Sequence, residues 1–245
     1  MKGKRMLTAA KLIGTAFIEC FLPQFCILCE ERIPSGEKLC SRCLGLLRPE
    51  PIRFCPLCRF EGETEGEGEE GSSVCRDESH GFVAGRAAVR AGTAILGVVH
   101  RFKYSGERDL APLLARLILD SNIIDEDFRD HQLMCPVPLF RTRLRERGFN
   151  QSAEIAKRLE IHSGVPLIAD LLSKVKPTAE QAKLAAGSRR RNLLGSFVVT
   201  RAGVVSGKSI VLVDDVVTTG STVAACAEAL KSSGVSKVLV VSVAA

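Results

Sequence analysis

The sequence predicts an α/β protein built on a parallel sheet covered on both faces, preceded by a small segment stapled by cysteines. Three observations carry this. SIVLVDD (209–215) and KVLVVSVA (237–244) are continuous apolar runs, the pattern of strands buried on both faces and not of a half-exposed sheet. Between them GSTVAACAEALKSSG (220–234) reads as a helix, opened by hydroxyl residues and closed by a glycine. Strand, helix and strand in that order give a parallel pair with a crossover. Ahead of residue 80, long apolar runs give way to three C-x-x-C pairs, so that segment needs a staple other than a core.

The chain divides into three parts on this reading. In residues 1–22, Met6, Ala10, Ile13, Phe17 and Phe21 recur at helical spacing and predict an amphipathic helix. The basic start resembles a secretory signal, but Lys11 and Glu19 interrupt the apolar run and no small-x-small site follows. Residues 23–80 are the cysteine-rich part, and EGETEGEGEEG (61–71) within it is a polar, low-complexity loop. Residues 81–245 form the α/β part. There the spacing predicts helices across 93–120, broken at Ser105-Gly106, and a strand in HQLMCPVPL (131–139). A helix over about 149–162 follows, ending near Gly164, and then strands at 197–200, 209–215 and 237–244.

The 245 residues, 46% of them apolar, suffice for a sizeable core. No stretch approaches the length of a membrane span, and the expected location is cytoplasmic. The net charge of +6 conceals a segregation. Residues 61–78 hold eight acids and one arginine, whereas 139–191 hold twelve Lys/Arg against five acids.

Cys26/Cys29 and Cys40/Cys43 have the form of a zinc ribbon. Each C-x-x-C turn aims two sulfurs at one point, and two turns complete a tetrahedral four-thiolate site with no open position. The expected zinc is therefore structural. Disulfides are the competing reading, disfavoured in a cytosolic chain. Redox catalysis is weaker still, because no C-x-x-C is expected to open a helix after a strand. Cys55, Cys58 and Cys75 offer three ligands for a second zinc; the fourth place falls on Glu78, with His80 nearby. A second metal and a metal-free relic both stay open. Cys135 and Cys226, in apolar surroundings, read as small buried hydrophobes.

Asp214 and Asp215 fall where a buried strand ends, and VVTTGST leads from them into a helix. In an open parallel sheet ligands bind beyond the carboxyl ends of the strands. Free amides and the dipole at a helix start favour a phosphate. Gly220 permits close backbone approach, and Thr218, Thr219, Ser221 and Thr222 add hydroxyls. The loop lacks the lysine and spacing of a Walker A motif. Paired carboxylates beside a monophosphate cradle suit a sugar phosphate, the acids accepting from vicinal hydroxyls. The structural alternative is an N-capped helix with chance acids.

VLVDDVVTTGST resembles the phosphoribosyl pyrophosphate (PRPP) motif of type I phosphoribosyltransferases. CPVPLFRTRLRERGFNQSAEIAKRL, PTAEQAKLAAGSRRRNLLGSF and the N-terminal cysteines extend the resemblance over nearly the whole chain, to the ComF family of bacterial phosphoribosyltransferase-like proteins associated with DNA uptake. Glu78 departs from members with a full double zinc ribbon, which carry cysteine there. The resemblance implies a type I phosphoribosyltransferase-like sheet with an N-terminal zinc ribbon. It implies Asp214 and Asp215 on the ribose hydroxyls, Thr218–Thr222 on the 5-phosphate, and Mg²⁺ accompanying PRPP. The loop after the first core strand, Val137 to about Arg143, would face pyrophosphate.

Arg141, Arg143, Arg145 and Arg147 supply charge there, and guanidinium suits phosphate oxygens. A solvated basic face is the plain alternative. Arg189, Arg190 and Arg191 sit in a stretch similar to the mobile loop that closes over PRPP; they would reach phosphates or bind DNA. Purine-salvage relatives carry an acid where this chain has Thr218, so no general acid or base for a purine is evident. Two readings follow. One is a PRPP-binding protein that transfers phosphoribosyl to an unknown acceptor. The other is a competence accessory protein that binds single-stranded DNA, alongside DNA-uptake machinery, with the PRPP site as a ligand site. The chain has no Trp and one Tyr, so DNA binding would be electrostatic rather than by base stacking.

Overall fold

A computed structural model describes residues 23–55, 83–177 and 195–245. The expected helix at 1–22, the polar loop at 61–71, Cys58, Cys75, Glu78, His80 and Arg189–Arg191 lie outside the described residues.

Among the described residues the main sheet has five strands: β3 (Ile52–Phe54), β4 (Val83–Val89), β5 (Leu133–Pro136), β8 (Ser209–Val216) and β9 (Lys237–Ala244). Their spatial order is β3-β4-β9-β8-β5. Four run parallel, and β3 joins the edge antiparallel to β4. The apolar runs β8 and β9 occupy the middle, with nearly every residue buried. Each fully buried Val, Leu or Ile contributes about 1.5–3 kcal/mol, so this central pair is the stable frame of the site.

Helices cover both faces: α2 (Thr93–Tyr104), α3 (Ala111–Asp120), α4 (Glu126–Arg129), α5 (Arg141–Arg147), α6 (Gln151–Ser163), α7 (Ala202–Val205) and α8 (Ser221–Ser232). The break expected at Ser105-Gly106 is present, with Gly106 at φ 69° and a 3₁₀ turn at Arg108–Leu110 before α3. α6 is capped at both ends. The Asn150 side chain accepts from Ser152 N and Ala153 N, and Gly164 closes it in the left-handed region at φ 75°.

Two local expectations are revised. The loop expected from Val137 to about Arg143 is shorter: Arg141–Arg147 form α5, which ends at Gly148 in the left-handed region. Phe197–Val199, read with the parallel strands, is β7 and pairs antiparallel with β6 (Leu172–Lys174) in a separate ribbon. Val83–Val89 forms β4 although Gly85 and Arg86 interrupt its apolar run. Arg86 is only 8% exposed there. Asp125 and Asp127, each 2.6 Å away, neutralise it, and the Ile123 carbonyl accepts from it at 3.1 Å. Burying a guanidinium in this way requires such partners.

The cysteine segment packs on this body. It contains β1 (Gln24–Phe25), β2 (Arg32–Ile33) and α1 (Ser41–Gly45). Cys26, Ile33, Leu39, Cys43 and Leu47 belong to the same apolar cluster as Ile95, Val98, Val99 and Phe102 of α2. An ion pair between Lys38 and Asp109 fastens the edge.

Candidate functional site

Two loops open at the same end of the parallel sheet, because β5 and β8 are adjacent and parallel. One follows β5, where Val137 N still donates to Val213 O at 2.9 Å. The other follows β8 and runs through Val217–Gly220 into α8. Thr218 and Thr219 are exposed, Ser221 and Thr222 are partly exposed, and Gly220 adopts φ 71°. A left-handed conformation favours glycine at that position. It turns the chain sharply, so the first-turn amides of α8, which have no intrahelical partner, face the loop. Thr219 Oγ1 lies 3.1 Å from Ser221 Oγ.

Asp214 and Asp215 end β8, as the sequence predicts, and both are buried at 9% and 2% exposure. Asp214 Oδ1 accepts from Ser152 Oγ at 3.1 Å and from the Asp215 amide at 2.9 Å. Burial and the neighbouring Asp215 charge push the Asp214 carboxyl up to about 7, against the opposing pull of Lys103 and these donors. Asp215 Oδ1 accepts from the Val216 amide at 2.8 Å. Its Oδ2 lies 2.9 Å from Lys103 Nζ, a largely buried ion pair. Burial opposes the Lys103 charge, but Asp215 and then Asp214 raise its pKa overall.

Lys103 and Ser152 were not singled out in the sequence. Ser152 lies in the stretch that carries the family resemblance but has no assigned role there, and Lys103 lies outside it; each reaches the acids through tertiary packing. Asn150 prepares the second contact: it caps α6 and its Nδ2 donates to Val137 O at 3.0 Å, tying the loop after β5 to the helix that carries Ser152.

Beside Lys103 lies a cavity of about 350 Å³, walled by Lys103–Gly106 on one side and Arg143, Glu146 and Arg147 on the other. Arg143 pairs with Glu146 at 3.3 Å. The Arg147 guanidinium stacks 5.2 Å from the Tyr104 ring centroid, and its Nη1 is buried with no hydrogen-bond partner among the described residues. Arg141 and Arg145 are exposed on α5.

The sulfurs of Cys26, Cys29, Cys40 and Cys43 all lie within 4.8 Å of one another, and those of Cys29 and Cys40 are 3.6 Å apart. A tetrahedral ion with metal–sulfur bonds of about 2.3 Å needs sulfurs roughly 3.8 Å apart, so the four residues fit zinc. Burial works against the Cys26 thiolate, yet amide donors and the Cys29 side chain hold its pKa down to about 6. Burial and neighbouring sulfurs push Cys43 up to about 12. Cys40 caps the one-turn helix α1, which follows a loop and not a strand, and its sulfur is one of the four that converge. Cys55 is buried at 2%, directly after β3. Cys135 and Cys226 are fully buried; burial pushes Cys135 up to about 12 and raises Cys226 well above the ordinary thiol value.

No helix among the described residues is long and apolar enough to cross a membrane. Residues 145–245 match the phosphoribosyl transferase domain model, a span that takes in α6, the acids and the hydroxyl loop. The chain is 32% identical over 227 residues to the DNA utilization protein YhgH of Salmonella typhi, covering 89% of this chain and 96% of that one. It is 32% identical over 149 residues to competence protein F of Haemophilus influenzae, 58% of this chain and 64% of the other. To competence protein ComFC of Bacillus subtilis it is 25% identical over 232 residues, 85% and 89% of the two chains. With the domain match, the cysteine cluster and relatives aligned along nearly its whole length, the chain belongs to the ComF family of phosphoribosyltransferase-like proteins.

Proposed function

We propose that the carboxyl end of the sheet binds PRPP and presents its ribose for transfer to an acceptor. The observation that carries this reading is the buried pair Asp214 and Asp215 beside the exposed hydroxyl loop that opens α8. The acids accept from the ribose 2′- and 3′-hydroxyls. Thr218, Thr219, Gly220, Ser221 and Thr222 enclose the 5-phosphate with amides and hydroxyls. On this reading Arg141 and Arg143 bind the diphosphate, and the stretch PTAEQAKLAAGSRRRN with Arg189–Arg191, the hood stretch, would close over PRPP as the family resemblance implies, keeping water out.

Carboxylate oxygens are hard ligands that fit Mg²⁺ shared with phosphates, and the ion would neutralise charge on the departing diphosphate. The chain's own part is positioning: Ser152 orients Asp214, and Lys103 compensates Asp215. The four-cysteine site holds zinc structurally, and the chain acts in the cytoplasm. A second zinc on Cys55, Cys58 and Cys75 is part of the same reading.

Calorimetric titration of PRPP with Mg²⁺ tests it. Binding by the parent chain, lost in Asp214→Asn/Asp215→Asn, supports the reading; a parent chain that does not bind sinks it. Release of pyrophosphate across a panel of nucleotides and nucleic acids then identifies the acceptor.

A second reading draws on the relatives named for DNA utilization and competence. On it, the arginines of α5 and of the hood stretch hold single-stranded DNA by its phosphates, in company with uptake proteins. Such binding weakens steeply with salt. A flat salt response, or affinity unchanged when Arg189, Arg190 and Arg191 become Ala, removes it.

A further inference from the structure

We infer that Leu28 and Lys38 of the cysteine segment are positioning residues for the ligand site: with zinc bound they hold α2 so that Lys103 meets Asp215, and ligand affinity at the acids is coupled to the metal. The inference rests on the proposed role of Asp214 and Asp215 in holding a ribose phosphate.

The route from the cysteines to the acids is short. Leu28 lies inside the Cys26–Cys29 turn, and its Cδ2 stands 2.8 Å from the place that a Cβ on Gly97 would take. Lys38 comes just before Cys40 and pairs with Asp109 in the 3₁₀ turn beyond α2. The Ile27 amide donates to the Lys38 carbonyl at 3.1 Å, which ties the two cysteine turns together. The segment thus grips the main domain at Gly97 and at Asp109. Lys103 stands between these points, about 9 Å along the helix from Gly97, with its Nζ 2.9 Å from Asp215 Oδ2.

The same grip reaches the other acid. The Phe102 ring of α2 packs against Phe149 with centroids 5.3 Å apart. Arg108 donates to the Gly148 carbonyl and lies 4.8 Å over the Phe149 ring. Gly148 and Phe149 lead into α6, where Ser152 donates to Asp214. Both supports of the acid pair therefore depend on where α2 sits.

A segment this small usually needs a metal or disulfides to hold its shape, and zinc binding at such sites is coupled to folding. Without zinc, Leu28 and Lys38 lose their frame and α2 loses its seam. Lys103 then leaves two adjacent buried carboxylates uncompensated, and an anionic sugar phosphate binds less tightly beside them. Linkage makes the coupling reciprocal: what parts Lys103 from Asp215 also weakens the hold on zinc.

Two measurements on the full chain test this: calorimetry with PRPP and Mg²⁺, and zinc affinity by competition against a chelator. Leu28→Ala and Lys38→Met are expected to fold in thermal melts and to keep the parent's zinc content. Each is expected to weaken PRPP by about fivefold or more. Leu28→Met, which refills the seam, restores the parent affinity. In Lys103→Met the affinity is already low, and adding Leu28→Ala lowers it no further. Lys103→Met also holds zinc about fivefold less tightly than the parent. Should Leu28→Ala lose its zinc, Lys38→Met, whose side chain is not a ligand of the cluster, carries the comparison. PRPP affinity unchanged in both zinc-loaded variants overturns the inference, as do additive losses in the double variant. A parent chain that does not bind PRPP sinks the proposed function instead. Zinc affinity then decides the inference by itself: weakened in Lys103→Met it stands, unchanged it falls.

Discussion

Ser152 Oγ donates to Asp214 Oδ1 at 3.1 Å, joining the start of α6 to the end of β8 across 62 positions of chain. The hydroxyl is in place because Asn150 caps α6 and holds the loop after β5 by its contact with Val137. Asp214 is thereby oriented by the helix that follows the basic segment, so the two sides of the proposed ligand site share one frame. A hydrogen bond to a charged group contributes about 1.5–3 kcal/mol. Ser152→Ala is expected to weaken PRPP binding by on the order of tenfold in calorimetry, with the fold retained.

Asp214 also sets a pH dependence. Its carboxyl sits at about 7 in the fold against an ordinary 3.8, chiefly through burial and then through Asp215. Between those values the folded chain keeps a proton that the unfolded chain has released. Stability therefore falls as pH rises from about 4 to about 7 and levels off above. Asp214→Asn removes this contribution and is expected to stabilise the chain at pH 8 by about 2–4 kcal/mol, the upper figure corresponding to about 1.4 kcal/mol per pH unit. Urea unfolding of both proteins at pH 5 and pH 8 measures it: the difference between them should open as pH rises.

These two contacts show what was legible in the sequence and what was not. β8, β9 and α8 could be read because each is a long run with its own punctuation, and the acids and hydroxyls occupy its ends. Their local pattern and their tertiary role agree. β4 was hidden because Arg86 looks exposed until Asp125 and Asp127, some forty residues on, neutralise it. β7 reads as one more strand of the parallel sheet: a three-residue run says that a strand exists, but its pairing with β6 decides the sheet and the direction. α5 carries no apolar period and buries none of its residues, so its pattern does not announce a helix. At the site, the motif named the acids but not their supports. Lys103 and Ser152 are ordinary residues whose roles arise from where their helices are packed.

Two glycines test the packing around the sheet. A Cβ on Gly85 would stand 2.8 Å from the Phe54 carbonyl oxygen and 2.7 Å from its ring, and backbone cannot yield cheaply where β3 pairs with β4. Gly85→Ala is expected to cost about 1–3 kcal/mol. A Cβ on Gly97 meets only the tip of the Leu28 side chain, at 2.8 Å. That flexible group can shift, and alanine favours the helix by up to about 1 kcal/mol. Gly97→Ala should therefore fall within about 1 kcal/mol of the parent, and urea midpoints compare the two directly.

The four-cysteine cluster makes the last expectation, and its packing decides the form of the result. Cys26, Cys40 and Cys43 are continuous with the apolar cluster that includes α2 and α3, and Lys38 ties the same segment to Asp109. A metal that organises the four sulfurs thus supports a face of the main domain as well as a separate knuckle. Zinc binding in such sites is coupled to folding. The purified chain is expected to carry zinc on these residues, and Cys43→Ser to lose that equivalent. At roughly 2–4 °C per kcal/mol for a chain of this size, losing several kcal/mol lowers Tm by on the order of 10 °C. The shared cluster predicts one cooperative transition moved downward. An isolated knuckle would instead melt early and leave the main transition in place. Elemental analysis and calorimetric melts of the two proteins distinguish these outcomes, and unchanged zinc content in Cys43→Ser would count against the cluster as the metal site.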